Sequence, residues 1–323
     1  MKRSKLRNWL IAVAGLLATS YALPPAMAQT KLKVAEGSRS FTVMPLYIAM
    51  EAGYLAEKGI TVDLITMKGG PAAANALVSG DVDVTFSLAE TPIKMRAQGR
   101  DLRVGALLQD RNPIVLVVPS NSPAKSLADL KGKKIGVTAT GSLSDLILRA
   151  HIRASGLMEN DFEIVGLGSG ATVSAAIERN QLQAAATFTP FLTKLVMDKT
   201  ARVVSDLRKE IYPGQAMLIR GADLGGPKEG ALRGFAEALA KAAGTLYSDR
   251  ALVIRAARVF FPDMNPQLLE AMIVAETQET PVFSRDARFS RADFDWLINF
   301  LLTNKLVQKS EKYEDIVATQ LWR

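Results

Sequence analysis

Twice along this chain, short runs of strand period alternate with segments of helix period, and that doubled alternation restricts it to parallel sheets covered by helices. The first series opens at Lys31 to Val34, where polar and apolar residues alternate. A helix with Val43, Tyr47, Met50 and Tyr54 on one face follows, closed by Gly59. Ile60, Val62 and Leu64 then read as a strand, Ala72 to Ser79 as a helix begun by Pro71 and stopped by Gly80, and Val82, Val84 and Phe86 as a third strand. Pro92 opens a further short helix that Gly99 ends, before strands near Leu102–Leu108 and Ile114–Val118. After the turn-rich stretch Pro119 to Ser126 the pattern restarts: strands at Lys133–Val137, Phe162–Leu167, Leu182–Phe188 and Arg202–Val204, with helices between them. In the first of those helices Ser142 is a cap residue with Asp145 as its capping-box partner.

The halves echo each other. Ala76-Leu77 before Gly80-Asp81-Val82-Asp83 is matched 100 residues later by Ala176-Ile177 before Asn180-Gln181-Leu182-Gln183. The reading is therefore α/β, with two lobes of similar plan: residues 29–118 begin lobe 1, 119–215 form lobe 2, and 216–323 return to lobe 1. The return consists of the strand Ala216–Ile219 followed by helices that pack back on lobe 1. The chain then crosses between lobes twice, near 118–120 and 212–216, which is a double-crossover hinge.

Residues 1–28 carry the marks of a secretory leader. Lys2, Arg3, Lys5 and Arg7 form a positive start, Trp9 to Leu17 is apolar, and Ala26-Met27-Ala28 supplies a small-x-small cleavage pattern. The apolar run is too short to span a membrane, which takes about 20 residues. Removing the leader's four basic residues leaves 36 against 32 acidic ones, a net charge of +4 rather than +8. Lys and Arg are not concentrated among aromatics, so nucleic acid is not an expected partner. With no cysteine and one histidine, disulfides, thiolate nucleophiles and His-rich metal sites are excluded, and no cofactor is expected.

The recurring chemical feature is a small polar loop that ends at a helix start: Gly37–Phe41, Gly69–Pro71, Ser87–Pro92, Thr138–Ser142, Gly168–Ala171 and Thr187–Pro190. In an open α/β sheet these loops gather at the carboxyl ends of the strands, where ligands bind. Helix N-termini there offer unpaired N–H groups and partial positive charge to an anion. Arg39 and Lys68 flank the first two loops; Arg39 either pairs an anionic head group or is solvated surface charge, and Lys68 reads rather as surface charge. Glu90 is either an acceptor for a ligand N–H or a helix cap. Phe41, Phe188 and Tyr212 either line the cleft or belong to the core. Gly168-Ser169-Gly170 lacks the third glycine of a dinucleotide fingerprint, no Gly-Lys-Ser/Thr occurs, and Gly141-Ser142-Leu143 is not a nucleophile elbow. His151 has no second histidine to share a metal.

Several segments resemble solute-binding proteins of ABC importers, in the branch for nitrate, sulfonates, taurine and thiamine precursors. They are Tyr47-Ile48-Ala49-Met50-Glu51-Ala52-Gly53-Tyr54-Leu55-Ala56-Glu57-Lys58-Gly59-Ile60, Leu77-Val78-Ser79-Gly80-Asp81-Val82-Asp83, Ser126-Leu127-Ala128-Asp129-Leu130-Lys131-Gly132-Lys133-Lys134-Ile135-Gly136-Val137, and Leu302-Thr303-Asn304-Lys305-Leu306 before Tyr313-Glu314-Asp315. The resemblance implies a type II periplasmic-binding-protein fold, two α/β lobes joined by a double-crossover hinge. It further implies a small-molecule ligand between the lobes, a periplasmic location, a membrane permease as partner, a monomer, and no catalysis. Carried over residue by residue, the ligand-binding candidates are Ser38, Arg39, Ser40, Phe41, Gly69, Gly70, Ser87, Ala89, Glu90, Thr140, Gly141, Ser142, Thr187, Phe188 and Thr189. The expected ligand is a small organic anion, a sulfonate or carboxylate. The alternatives are a pyrimidine-like thiamine precursor or, in the same fold, a pyrimidine-synthesis enzyme, whose cysteine-rich motif this chain lacks. Two departures from the family pattern bear on the ligand: Ala186-Thr187-Phe188-Thr189-Pro190 replaces a Trp-x-x-Asp-Pro-like stretch, and Gln183 stands where the second acidic echo residue is expected.

Overall fold

In a computed structural model, which describes residues 29–37, 39–67, 70–209 and 212–323, the two series become two five-stranded sheets. The expected leader lies outside the described residues. Strands β1 (Thr30–Glu36), β2 (Ile60–Thr66), β3 (Val84–Leu88) and β4 (Leu102–Leu107) alternate with helices α1 (Met44–Glu51), α2 (Gly70–Ser79) and α3 (Thr91–Arg96). Then come β5 (Val115–Pro119), β6 (Lys134–Val137), α4 (Leu143–Ala154), β7 (Glu163–Gly166), α5 (Gly170–Glu178), β8 (Ala184–Thr187), α6 (Phe191–Met197), β9 (Ala201–Asp206) and β10 (Gln215–Arg220). Helices α7 (Glu229–Ser248), α8 (Arg250–Phe260), α9 (Pro266–Val274), α10 (Arg291–Thr303) and α11 (Tyr313–Ile316) complete the chain.

The strand orders are β2-β1-β3-β10-β4 and β7-β6-β8-β5-β9, the same plan twice. Each sheet is parallel except for one strand delivered from the other lobe: β10 runs antiparallel to β3 and β4, and β5 antiparallel to β8 and β9. This corrects the lobe boundary. The run at 114–118 does not finish lobe 1; as β5 it pairs in the second sheet, so the first crossing lies at 108–114 and the second at 207–214. The apolar run reads as a strand in either sheet, and its periodicity says nothing about which partners it takes.

Side-chain alternation sorts the core. Val115, Val117 and Ala185 face α5 and α6, whereas Leu116, Val118, Ala184 and Ala186 face the cluster shared with α4 and α10. Helices α1, α7 and α8 cover one face of the first sheet. The C-terminal helices do not pack on lobe 1 alone: Phe294, Leu297, Ile298 and Leu301 of α10 belong to one cluster with Ile135, Leu148 and Ile152 of lobe 2.

The two halves of the echo perform one structural task. Asp83 Oδ2 accepts from Lys33 N at 2.9 Å while Asp83 N donates to Lys33 O at 2.8 Å. In lobe 2, Gln183 Oε1 accepts from Lys134 N at 3.2 Å and Gln183 N donates to Lys134 O at 3.2 Å. Both pairs sit at the starts of β3 and β8, away from the carboxyl ends, so Gln183 marks a register lock and not a change of ligand.

Candidate functional site

Beyond the carboxyl ends of β1, β3, β6 and β8 lies a cleft of about 640 Å³ between the lobes. Its walls take residues from both lobes and from the first crossing: Gly37, Ser40 and Thr42 after β1; Gly70, Pro71 and Ala74 on α2; Ser87, Glu90, Thr91 and Lys94 around α3; Thr138 to Ser144 before and into α4; Phe188 after β8; Gln109, Pro113 and Ile114 on the first crossing; and Gln215 at the start of β10. Helices α2 and α4, of 10 and 12 residues, begin at this cleft, and the N–H groups of a first helical turn have no partner within the helix. Hydroxyls supply most of the remaining polar lining. Ser40 Oγ lies 3.0 Å from Thr42 Oγ1, Ser87 Oγ lies 3.1 Å from Thr91 Oγ1, and Thr138 Oγ1 donates to Ser142 Oγ at 2.8 Å. Val43, Phe86, Leu88, Met95, Leu143 and Phe188 make the apolar share.

Among the described lining residues, the charged side chains are Glu90 and Lys94, and they pair with each other. Glu90 is buried and also accepts from the Tyr212 hydroxyl. Burial, the Glu90 charge and that hydrogen bond together hold the Tyr212 phenol well above its ordinary range, so it is a neutral donor. Glu90 thus stands at the N-cap position of α3 without a side-chain cap bond, and it is not a free acceptor. It ties α3 to the second crossing, where Tyr212 packs edge-on against Trp296 and Phe300 of α10 at 5.7 and 5.2 Å. The crossings are also bonded to one another: Gly214 N donates to Gln109 O at 2.8 Å, Leu108 N to Gln215 O at 2.8 Å, and Asn112 Nδ2 to Leu207 O.

Ser40, Gly70, Ser87, Glu90, Thr140, Gly141, Ser142 and Phe188 from the sequence set line this cleft. Ser38, Gly69 and the flanking Lys68 lie outside the described residues. Five others are placed elsewhere. Arg39 does not line the cleft; its guanidinium sits 3.5 Å from Glu36 and over the Phe260 ring. Phe41 is core, against Phe261 and Phe283. Ala89 is buried, its N–H donating to Gly214 O at 2.8 Å. Thr187 is buried within β8, and Thr189 turns away toward Thr193 and Glu276. Ser142 caps α4 through Asp145 N, but the Asp145 carboxylate answers Gly141 N at 2.8 Å and not Ser142 N. The loop Gly168–Ala171 does not reach the cleft, and His151 Nε2 meets Ser205 Oγ at 3.1 Å away from it.

Sequence reading missed Thr42, Lys94, Met95, Gln98, Ser144, Gln109 and Gln215, and it has Thr138 only as the start of the loop Thr138–Ser142. Helical spacing carried a signal for three of them, because Lys94, Met95 and Gln98 stand four, five and eight residues after Glu90 on one face of α3 and the turn beyond. A second groove, of about 760 Å³, lies on the other side of the first crossing and is walled by that crossing and the C-terminal segment. It mixes Asp110, Asp286 and Asp293 with Arg111, Arg285 and Arg288, whereas the cleft combines both lobes, the first crossing and the strand ends.

The family model described as NMT1/THI5 like matches residues 40–249. A protein of Escherichia coli strain K12 named for binding aliphatic sulfonates is 29% identical over 206 residues, which is 62% of this chain and 63% of that protein; the chain thus spans somewhat under two thirds of that relative's length. Two solved structures share the fold. The periplasmic aliphatic sulphonate binding protein SsuA of E. coli has a TM-score of 0.76 at 19% identity, over 90% of this chain and 98% of that one. The alkanesulfonate-binding protein SsuA of Xanthomonas axonopodis pv. citri, bound to MOPS, has a TM-score of 0.71 at 22% identity, over 91% and 98%.

Proposed function

The chain belongs to the NMT1/THI5-like family, and from that premise and the lining of the cleft we propose that it is an exported, non-catalytic receptor. It captures a small organic anion, with alkanesulfonates as the leading class, and delivers it to an ABC permease in the membrane. The observation that carries this reading is the composition of the cleft. Two helix N-termini and a set of hydroxyls converge from both lobes, and the described charged side chains cancel within one ion pair. Donors without a competing free carboxylate suit an oxyanion, and the apolar lining suits the hydrocarbon part of an alkanesulfonate or a longer carboxylate. Contacts made to both lobes at once are the ones that favour a closed form over an open one. The same reading places the mature chain in the periplasm after removal of residues 1–28.

A heterocyclic thiamine precursor fits less well, because the acidic acceptor it would use, Glu90, already has both oxygens engaged by Tyr212 and Lys94. A thermal-shift screen of alkanesulfonates, carboxylates, nitrate and pyrimidines tests the choice. Ligand bound to the native state raises the melting temperature by mass action. The expected result is stabilisation by sulfonates of about three to six carbons. Stabilisation by pyrimidines alone would replace the anion reading with the heterocyclic one.

A further inference from the structure

The first crossing carries a feature that neither the packing nor the hydrogen bonding of the fold uses. Gln109 is 1% exposed and lines the cleft, yet its Nε2 has no hydrogen-bond partner among the described residues. Leaving a buried donor unpaired costs free energy, so a chain gains nothing from such an amide unless something outside the fold accepts from it. The surroundings also make room for it. Gly214 packs so tightly that a Cβ there would stand 3.3 Å from Gln109 Cβ and 3.4 Å from Gln109 Oε1. The backbone of Gln109 is fixed from several sides: Gln109 N donates to Gln215 O at 3.1 Å, Gln109 O accepts from Gly214 N, and Gln109 bridges to Phe283.

We propose that Gln109 is the ligand donor at the fulcrum of the two lobes, its side-chain amide giving a hydrogen bond to an oxygen of the ligand's oxyanion head. The proposal rests on the reading of the cleft as an anion site. Because the two crossings are bonded to each other at Gln109, this donor keeps its place while the lobes rotate about it. The head group is therefore engaged in the open form, and the donors of α2 and α4 are added on closure. Gln109 sets basal affinity, and the loops of the lobes set the preference for the closed form.

The test uses Gln109→Met, which keeps the length of the side chain and removes its donors, with Gln109→Leu as a second variant. Without ligand, both are expected to melt at or above the temperature of the parent, since an unpaired buried donor has been removed. A melting temperature several degrees lower in both would make the amide structural and overturn the proposal. In calorimetric titration with 1-pentanesulfonate, the variants are expected to bind about ten- to a hundredfold more weakly than the parent, the worth of a hydrogen bond to a charged group. Equal affinity in parent and variants would overturn the proposal and leave the anion reading standing. A parent that takes up none of a series of sulfonates and carboxylates would overturn the anion reading, and this assignment with it.

Discussion

Glu276 shows how a single buried side chain ties the C-terminal helices to the second lobe, and it gives the molecule a pH dependence. It follows α9, is 2% exposed, and meets Thr189 of lobe 2 and the charge of Arg208 on the second crossing; Arg208 is itself held by Asp206 at 2.8 Å. Burial pushes the Glu276 carboxyl up to about 7, with the Thr189 hydrogen bond and Arg208 acting the other way. The unfolded chain releases this proton near the ordinary value of 4.5, whereas the folded chain keeps it to about 7. Below that window both states are protonated and the contribution to stability is complete. It is lost as pH rises through the window and levels off above it. Replacing the carboxyl in Glu276→Gln removes the loss, so the variant should gain melting temperature relative to the parent between pH 5 and pH 8. Parallel melting curves across that range would show that Glu276 does not titrate there. None of this is legible in the sequence: Glu276 lies in a helical stretch of ordinary composition, and Thr189 belongs to a strand-end loop that the family resemblance puts at the ligand. Arg39 was misread for a similar reason. A cation beside a polar loop looks available to an anion until the buried Glu36 beneath it is seen.

At the scale of elements, the repeated signature was legible as a repeat but not as a purpose. The turn ending in Asp83, and its counterpart ending in Gln183, lock the start of the third strand of each lobe to the first strand. The lock in lobe 1 carries more. Asp83 is 7% exposed, with Lys228 just before α7 as an ion-pair partner besides Lys33 N, whereas Gln183 is exposed and neutral. Asp83→Ala should therefore cost about 2 kcal/mol in urea unfolding, and Gln183→Ala about 0.5 kcal/mol or less. Neither should change sulfonate affinity, because both lie at the opposite edge of the sheets from the cleft. Similar costs for the two would mean that the charge of Asp83 adds nothing to the lock. Strand and helix order, the cap at Ser142, the proline in the first turn of α2, and the polar loops all follow from local pattern and local chemistry. Which loop side chains turn inward does not: Phe41, Ala89 and Thr187 occupy cleft-edge positions in the chain yet are packed into the body of the protein.

For the molecule as a whole, the two-lobe plan was readable because the alternation restarts, and the existence of two crossings followed from the late return strand. The position of the first crossing was not readable, since sheet membership is decided by partners far away in sequence. The C-terminal helices likewise proved to bridge both lobes, with α10 packed against the hinge residue Tyr212 and the core of lobe 2. In the proposed function these lobes close on a sulfonate and let it go chemically unchanged. Native mass spectrometry of residues 29–323 mixed with 1-pentanesulfonate reads this out. One added ligand per chain is expected, recovered on dissociation at its original mass. No adduct at saturating sulfonate, or a recovered molecule of altered mass, would contradict it.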